Sequence, residues 1–277
     1  MPSDGFFAAF GAAPSFVLNA FFALYFLASL YVYISLVRQI GARTPVSTGK
    51  PTKAFGLPEA ILGGALIFFL LLSISASVSH PSVELSVRNL LANLLFMMFI
   101  VLFIVTFLQF RGFDLSSLAG FFKIGFVRAL STGTILLLTA YPLILLANTI
   151  TQRLFGGDSS KQNIVEVFSG SHTIEQRIMI IVFAVAIAPV VEEFLFRFFL
   201  YGVIKRYLGS FLGIIVNAAL FAAAHTHFPS FVPLFVLGSC FTIAYEWSGS
   251  ILVAMTMHSL FNSVTLIALA FPELISQ

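Results

Sequence analysis

The chain has 277 residues, 59% hydrophobic and only 9% charged, with 14 basic and 11 acidic side chains and a formal net charge of +3. A soluble domain carries about 25% charged residues, so this composition excludes a soluble enzyme, a nucleic-acid-binding protein and a disordered chain. Long unbroken apolar runs, in place of the ~10-residue alternating segments of a membrane β-barrel, leave an all-α, polytopic integral membrane protein.

Eight candidate spans are expected, at about residues 15–37, 58–79, 89–109, 129–150, 176–204, 209–226, 230–246 and 249–271. Most reach the ~20 residues that a ~30 Å hydrocarbon core requires. No Lys or Arg precedes the first run, so the n-region of a cleavable signal peptide is not expected. Arg38, Arg43, Lys50 and Lys53 follow the first span, Arg111, Lys123 and Arg128 follow the third, and Lys205 and Arg206 follow the fifth. The opposite loops hold Arg88, Arg153, Lys161 and Arg177. The positive-inside rule then places the first group in the cytoplasm and both termini outside. Segment 110–128 reads as an amphipathic surface helix, and 151–173 as an external loop. The single cysteine, Cys240, permits no disulfide within the chain. The 34 Phe read as lipid-facing and packing bulk. One membrane domain, 1–277, is the expectation, with the chemistry confined to 176–271.

Charges inside spans cost about 2.5–3.5 kcal/mol each on insertion scales, so they mark function or a paired lock. Three stand together: Glu192, Glu193 and Arg197. Pro189, just before them, weakens the helix and is expected to free the carbonyl of Val185. Glu193 and Arg197 are four apart, acid first, the favoured order for an intrahelical pair. Glu192 is rotated about 100° away, with Phe196 as its i+4 neighbour, and is free to aim elsewhere. A lone carboxylate in apolar surroundings suits a general base. The alternative is a buried three-charge lock that holds two helices together.

Asn217, Phe221 and His225 share one face of the next span, and its alanines allow close helix approach. Glu192 and His225 lie at similar distances on either side of the turn at Lys205-Arg206-Tyr207-Leu208-Gly209. In a helical hairpin they meet at similar depth, where an acid and an imidazole can polarise a water. His227, beside Pro229, reads as an interfacial residue. His258 and Asn262 share a face of the last span. They serve as interhelical glue or as donors to a developing oxyanion. Glu192, His225 and His258 also make a His₂Glu set for zinc. A metal-held water and a water held by Glu and His alone both fit the pattern.

Taken together, Glu192-Glu193-x-x-x-Arg197, Phe221-x-x-x-His225 and His258-x-x-x-Asn262 resemble the three motifs of the CPBP family, the CAAX proteases and bacteriocin-processing or Abi proteins, which include the type II CAAX prenyl endopeptidases. The resemblance implies an eight-helix intramembrane endopeptidase. Glu192 and His225 would activate water, His258 and Asn262 would stabilise the oxyanion, and Glu193 and Arg197 would support the site. No cofactor is certain and zinc is possible. The implied partners are the lipid bilayer and a membrane-associated or lipidated peptide, with no nucleic acid, in a prokaryotic plasma membrane. A proton-coupled transporter and a non-catalytic scaffold or immunity factor are the competing classes, since intramembrane acids and histidines also relay protons.

Overall fold

The computed structural model describes residues 16–43, 53–79, 87–155, 168 and 173–271. Among these residues all regular structure is helical. The protein is a polytopic all-α membrane protein. The termini, and most of the segment 151–173 expected as an external loop, lie outside the described residues.

Four helices open the chain close to the expected bounds: α1 (Phe16–Gly41), α2 (Leu57–Ser79), α3 (Val87–Phe110) and, after a short α4 (Leu115–Ala119), α5 (Phe126–Phe155). Segment 110–128 differs from the expected amphipathic helix. Asp114 caps α4, accepting from Ser116 and Ser117, and Gly120 ends it after five residues in a left-handed conformation. Gly112 also takes positive φ, so the stretch is glycine-punctuated and cannot run as one helix. The Ser116 hydroxyl and the Ser117 N–H hold the Asp114 carboxyl below its ordinary range.

The fifth and sixth expected spans form one hydrogen-bonded run, Ile174–Ala224, of 51 residues. By length and composition the described residues therefore show seven membrane-crossing helices. A straight helix of that length would extend about 77 Å, more than twice the hydrocarbon core. The run instead doubles back. It comprises α6 (Ile174–Val182), a π-helical turn (Phe183–Ile187), α7 (Ala188–Glu193), a second π-helical stretch (Phe194–Leu200) and α8 (Tyr201–Ala224). Within α8, Gly209 breaks the helix at φ 78°, ψ 171°. Beyond it Gly213 packs against Tyr201 and Lys205, and the Phe221 ring meets Phe196 edge-on at 5.4 Å. The run is thus a hairpin, whose two arms are the fifth and sixth expected segments. After a short 3₁₀ turn (Phe228–Ser230), α9 (Phe231–Ser248) and α10 (Ile251–Ala270) complete the bundle.

Packing places the hairpin at the centre. α8 lies on α9 and α2, α5 lies on α9, α10 and α1, and α3 reaches α7. Phe199, Leu200, Phe241 and Val253 are fully enclosed in the shared core. Phe21, Phe99 and Phe211 are exposed, as lipid-facing residues are.

The basic loops are tied down as well as oriented. Arg111 Nε pairs with the buried Glu59 at 3.0 Å, and Glu59 also accepts the Gly56 N–H at 2.7 Å. Lys53 donates to the Arg111 carbonyl. Arg43 donates to the carbonyls of Glu246 and Trp247 at 3.0 and 2.5 Å, and Lys205 pairs with Glu246 at 2.5 Å. These contacts gather the ends of α1 and α9 with the Gly209 turn, and the end of α3 with the start of α2.

Gly209 has nothing within 4 Å of where a Cβ would stand, so an alanine there meets only backbone strain. Gly209→Ala is expected to cost about 1–3 kcal/mol and to lower the unfolding midpoint in detergent by about 2–10 °C. Gly125→Ala, equally open in space but without positive φ, is expected to leave the midpoint within about 1 °C.

Candidate active site

The site is assembled from three helical segments. α7 presents two consecutive acids, α8 ends at a histidine, and α10 carries a histidine seven residues from its start.

Glu193 is fully buried. Its Oε1 lies 3.0 Å from Arg197 Nη1 and 2.8 Å from His258 Nδ1. The expected intrahelical pair therefore forms, and it also holds α10. Arg197 is fully buried too. Its guanidinium lies 4.1, 5.1 and 5.9 Å from the ring centres of Phe221, Phe241 and Phe196, and Nη2 approaches the Gly238 carbonyl at 3.5 Å. Cation–π contacts of this kind strengthen when desolvated. The reading of phenylalanine as bulk holds on the lipid face and fails around Arg197, where three rings box a charge.

Glu192 points away from this lock, as its place on the helix predicts. Its Oε2 lies 3.9 Å from His225 Nε2 and 3.9 Å from His258 Nε2. That oxygen is buried and has no hydrogen-bond partner among the described residues. The two imidazoles are oriented from behind. His258 Nδ1 meets the Glu193 carboxylate, and His225 Nδ1 meets the Phe221 carbonyl at 2.8 Å. Both partners only accept, so Nδ1 carries the proton in each ring and Nε2 is the position presented to Glu192.

Local backbone aims His225. It caps α8 at φ −78°, ψ −6°, and Thr226 follows with φ 51°. A β-branched residue in the left-handed region stores strain of about 1–3 kcal/mol. The helix thus stops on the histidine, leaving its ring at the rim with 27% exposure against 4% for His258.

The remaining sequence-derived residues fall nearby. Asn262, one turn beyond His258, donates through Nδ2 to the Ala184 carbonyl at 2.8 Å. The carbonyl that gains a side-chain donor is therefore Ala184, not Val185. The segment before Pro189 is π-helical, and its donors reach back five residues instead of four. Asn217 donates to Thr242 at 3.1 Å, and Thr242 donates to the Gly238 carbonyl at 2.8 Å. His227 bonds the Ser230 hydroxyl at 2.6 Å in the turn after α8. Sequence reasoning missed Gly238, Phe241 and Thr242. A glycine and a hydroxyl four apart on an otherwise apolar helix were the available signal.

The zinc alternative fits this geometry poorly. Oε2 stands 3.9 Å from each Nε2, whereas ligands of a tetrahedral zinc with bonds near 2.0–2.1 Å stand about 3.3 Å apart. No group of three or more His, Cys, Asp or Glu among the described residues is set to hold a metal ion.

A half-buried acid thus faces two imidazoles carried by α8 and α10. Residues 174–264 match the family model described as type II CAAX prenyl endopeptidase Rce1-like. The chain is 28% identical over 138 residues to the membrane-embedded CAAX protease MroQ of Staphylococcus aureus (strain USA300). That alignment covers 47% of this chain and 54% of MroQ, so the chain spans about half the length of the curated relative it matches. No solved structure matches. Residues 174–264, the stretch that holds Glu192, His225, His258 and Asn262, are thus similar to the CAAX protease family.

Removing the charge of Glu193 leaves Arg197 buried without its counter-ion. Glu193→Gln is expected to destabilise the protein by about 3–5 kcal/mol, measured as a fall of the unfolding midpoint in detergent.

Proposed function

We propose that the chain is an intramembrane endopeptidase of CPBP type that hydrolyses a peptide bond of a membrane-associated or lipidated peptide. The observation that carries this reading is the convergence of His225 and His258 on the single, otherwise unpartnered oxygen of Glu192. At 3.9 Å the three groups are too far apart for direct hydrogen bonds, and a water between them is the natural bridge.

Each group has a chemical part. Glu192 takes a proton from the attacking water, and the Nε2 lone pair of His225 orients it. The water oxygen adds to the scissile carbonyl, and the proton on Glu192 passes to the leaving amine. His258 Nε2 faces the developing oxyanion. Donation there needs a proton on Nε2 as well as on Nδ1, where the Glu193 carboxylate holds the ring. The family resemblance implies a second donor in Asn262, but its amide is bound to the Ala184 carbonyl, so it takes no direct part in this mechanism. Glu193 and Arg197 keep the two acids in separate roles. The proposal includes a prokaryotic plasma membrane, with the basic loops in the cytoplasm and both termini outside, following the charge bias.

Glu192→Ala and His225→Ala are each expected to reduce cleavage of a quenched lipidated peptide in proteoliposomes by about 10²–10⁴-fold, with unchanged elution and unfolding midpoint. Wild-type rates in both variants would overturn the mechanism. Proton-linked solute uptake with no hydrolysis would favour a transporter instead.

A further inference from the structure

We propose that Asn262 is a positioning residue: its amide replaces the backbone donor that Pro189 removes, and this bond sets the angle at which α7 presents Glu192. The inference rests on the protease reading for its effect on rate, and on hydrogen bonding alone for its effect on stability.

Helical register creates the need for this bond. In the turn Phe183–Ile187 the Ala188 N–H donates to the Phe183 carbonyl, five residues back. The next donor in that register would be residue 189, reaching the carbonyl of Ala184. Residue 189 is proline and has no N–H. The Ala184 carbonyl would then lack a partner at membrane depth, where water does not supply one. Ala184 is buried at 5% exposure. Asn262 Nδ2 reaches it from α10 at 2.8 Å.

The same device operates elsewhere in the fold. Pro142, inside α5, removes the donor for the Leu138 carbonyl four residues back. The hydroxyl of Tyr25 on α1 donates to that carbonyl at 2.5 Å. Neither Tyr25 nor Pro142 contributes to the candidate site. A side chain from a neighbouring helix thus replaces a proline-deleted donor twice, in α register at Pro142 and in π register at Pro189.

Only the second instance bears on chemistry. α10 grips the hairpin at two points, Asn262 on Ala184 and His258 on Glu193. Ala184 precedes Glu192 and Glu193 follows it, so the two ties bracket the acid. With the first tie cut, α7 turns about the second and Glu192 loses its distance to both imidazoles.

The test is a double-mutant cycle in the full-length protein. Asn262→Ala is expected to lower the cleavage rate about 100-fold and the unfolding midpoint by about 5 °C. Pro189→Ala restores a backbone N–H. Asn262→Ala is expected to cost much less in that background, with at least tenfold of the lost rate and most of the lost midpoint regained. Additive losses in midpoint, or a double variant that folds like Pro189→Ala yet regains no rate, would overturn the proposal. If Pro189→Ala is itself slow, the midpoint cycle still decides. If the wild type cleaves no lipidated peptide, the protease reading fails while the midpoint cycle continues to test this bond. Tyr25→Phe with and without Pro142→Ala is the control, expected to show the same midpoint coupling and no change in rate.

Discussion

The buried carboxylate of Glu193 is the constraint on which the rest of the site depends. It neutralises Arg197 within its own helix and grips His258 on another. In apolar surroundings neither charge survives alone, and removing one partner of such a pair costs far more than the pair itself contributes. The interaction is therefore better understood as a specifier than as a stabiliser. Only one rotation of α7 and one placement of α10 satisfy it. The aromatic box of Phe196, Phe221 and Phe241 and the Gly238 carbonyl extend the constraint to α8 and α9.

This lock explains how two neighbouring glutamates do different things. Glu193 is held by two partners, and the helix turns its neighbour about 100° away. Among the described residues Glu192 Oε2 then has no hydrogen-bond partner, and it faces two imidazoles at 3.9 Å. Those imidazoles are in turn fixed through Nδ1, one by a side chain and one by a backbone carbonyl. In the proposed hydrolysis, such preorganisation would let fixed groups act on developing charge without rearranging. The basic face plays a separate part. Arg43, Arg111 and Lys205 bind carbonyls or acids at helix ends, so charges that bias orientation also fasten the bundle.

Much of this was legible in the chain because the governing rules are local. Apolar run length marked the spans, and the i to i+4 spacing of Glu193 and Arg197 marked the ion pair. The near-symmetric placement of Glu192 and His225 about Gly209 marked their meeting. The short α4 was misread as a longer surface helix, because hydropathy outweighed the glycines that end it. The carbonyl assigned to Pro189 was off by one residue, because the π register depends on packing and leaves no mark in composition.

By itself, then, the sequence determined a helical membrane protein, its passes, and the residue types that gather in its last third. Those follow from hydrophobic length and helical periodicity, properties of each segment alone. Tertiary structure decided which nitrogen of each histidine faces Glu192, that His258 is shared with Glu193, and that Asn262 bonds the backbone of the π-helical turn before α7. These are contacts between helices distant in the chain. Interhelical rotation sets them, and a buried polar group's need for a partner fixes that rotation.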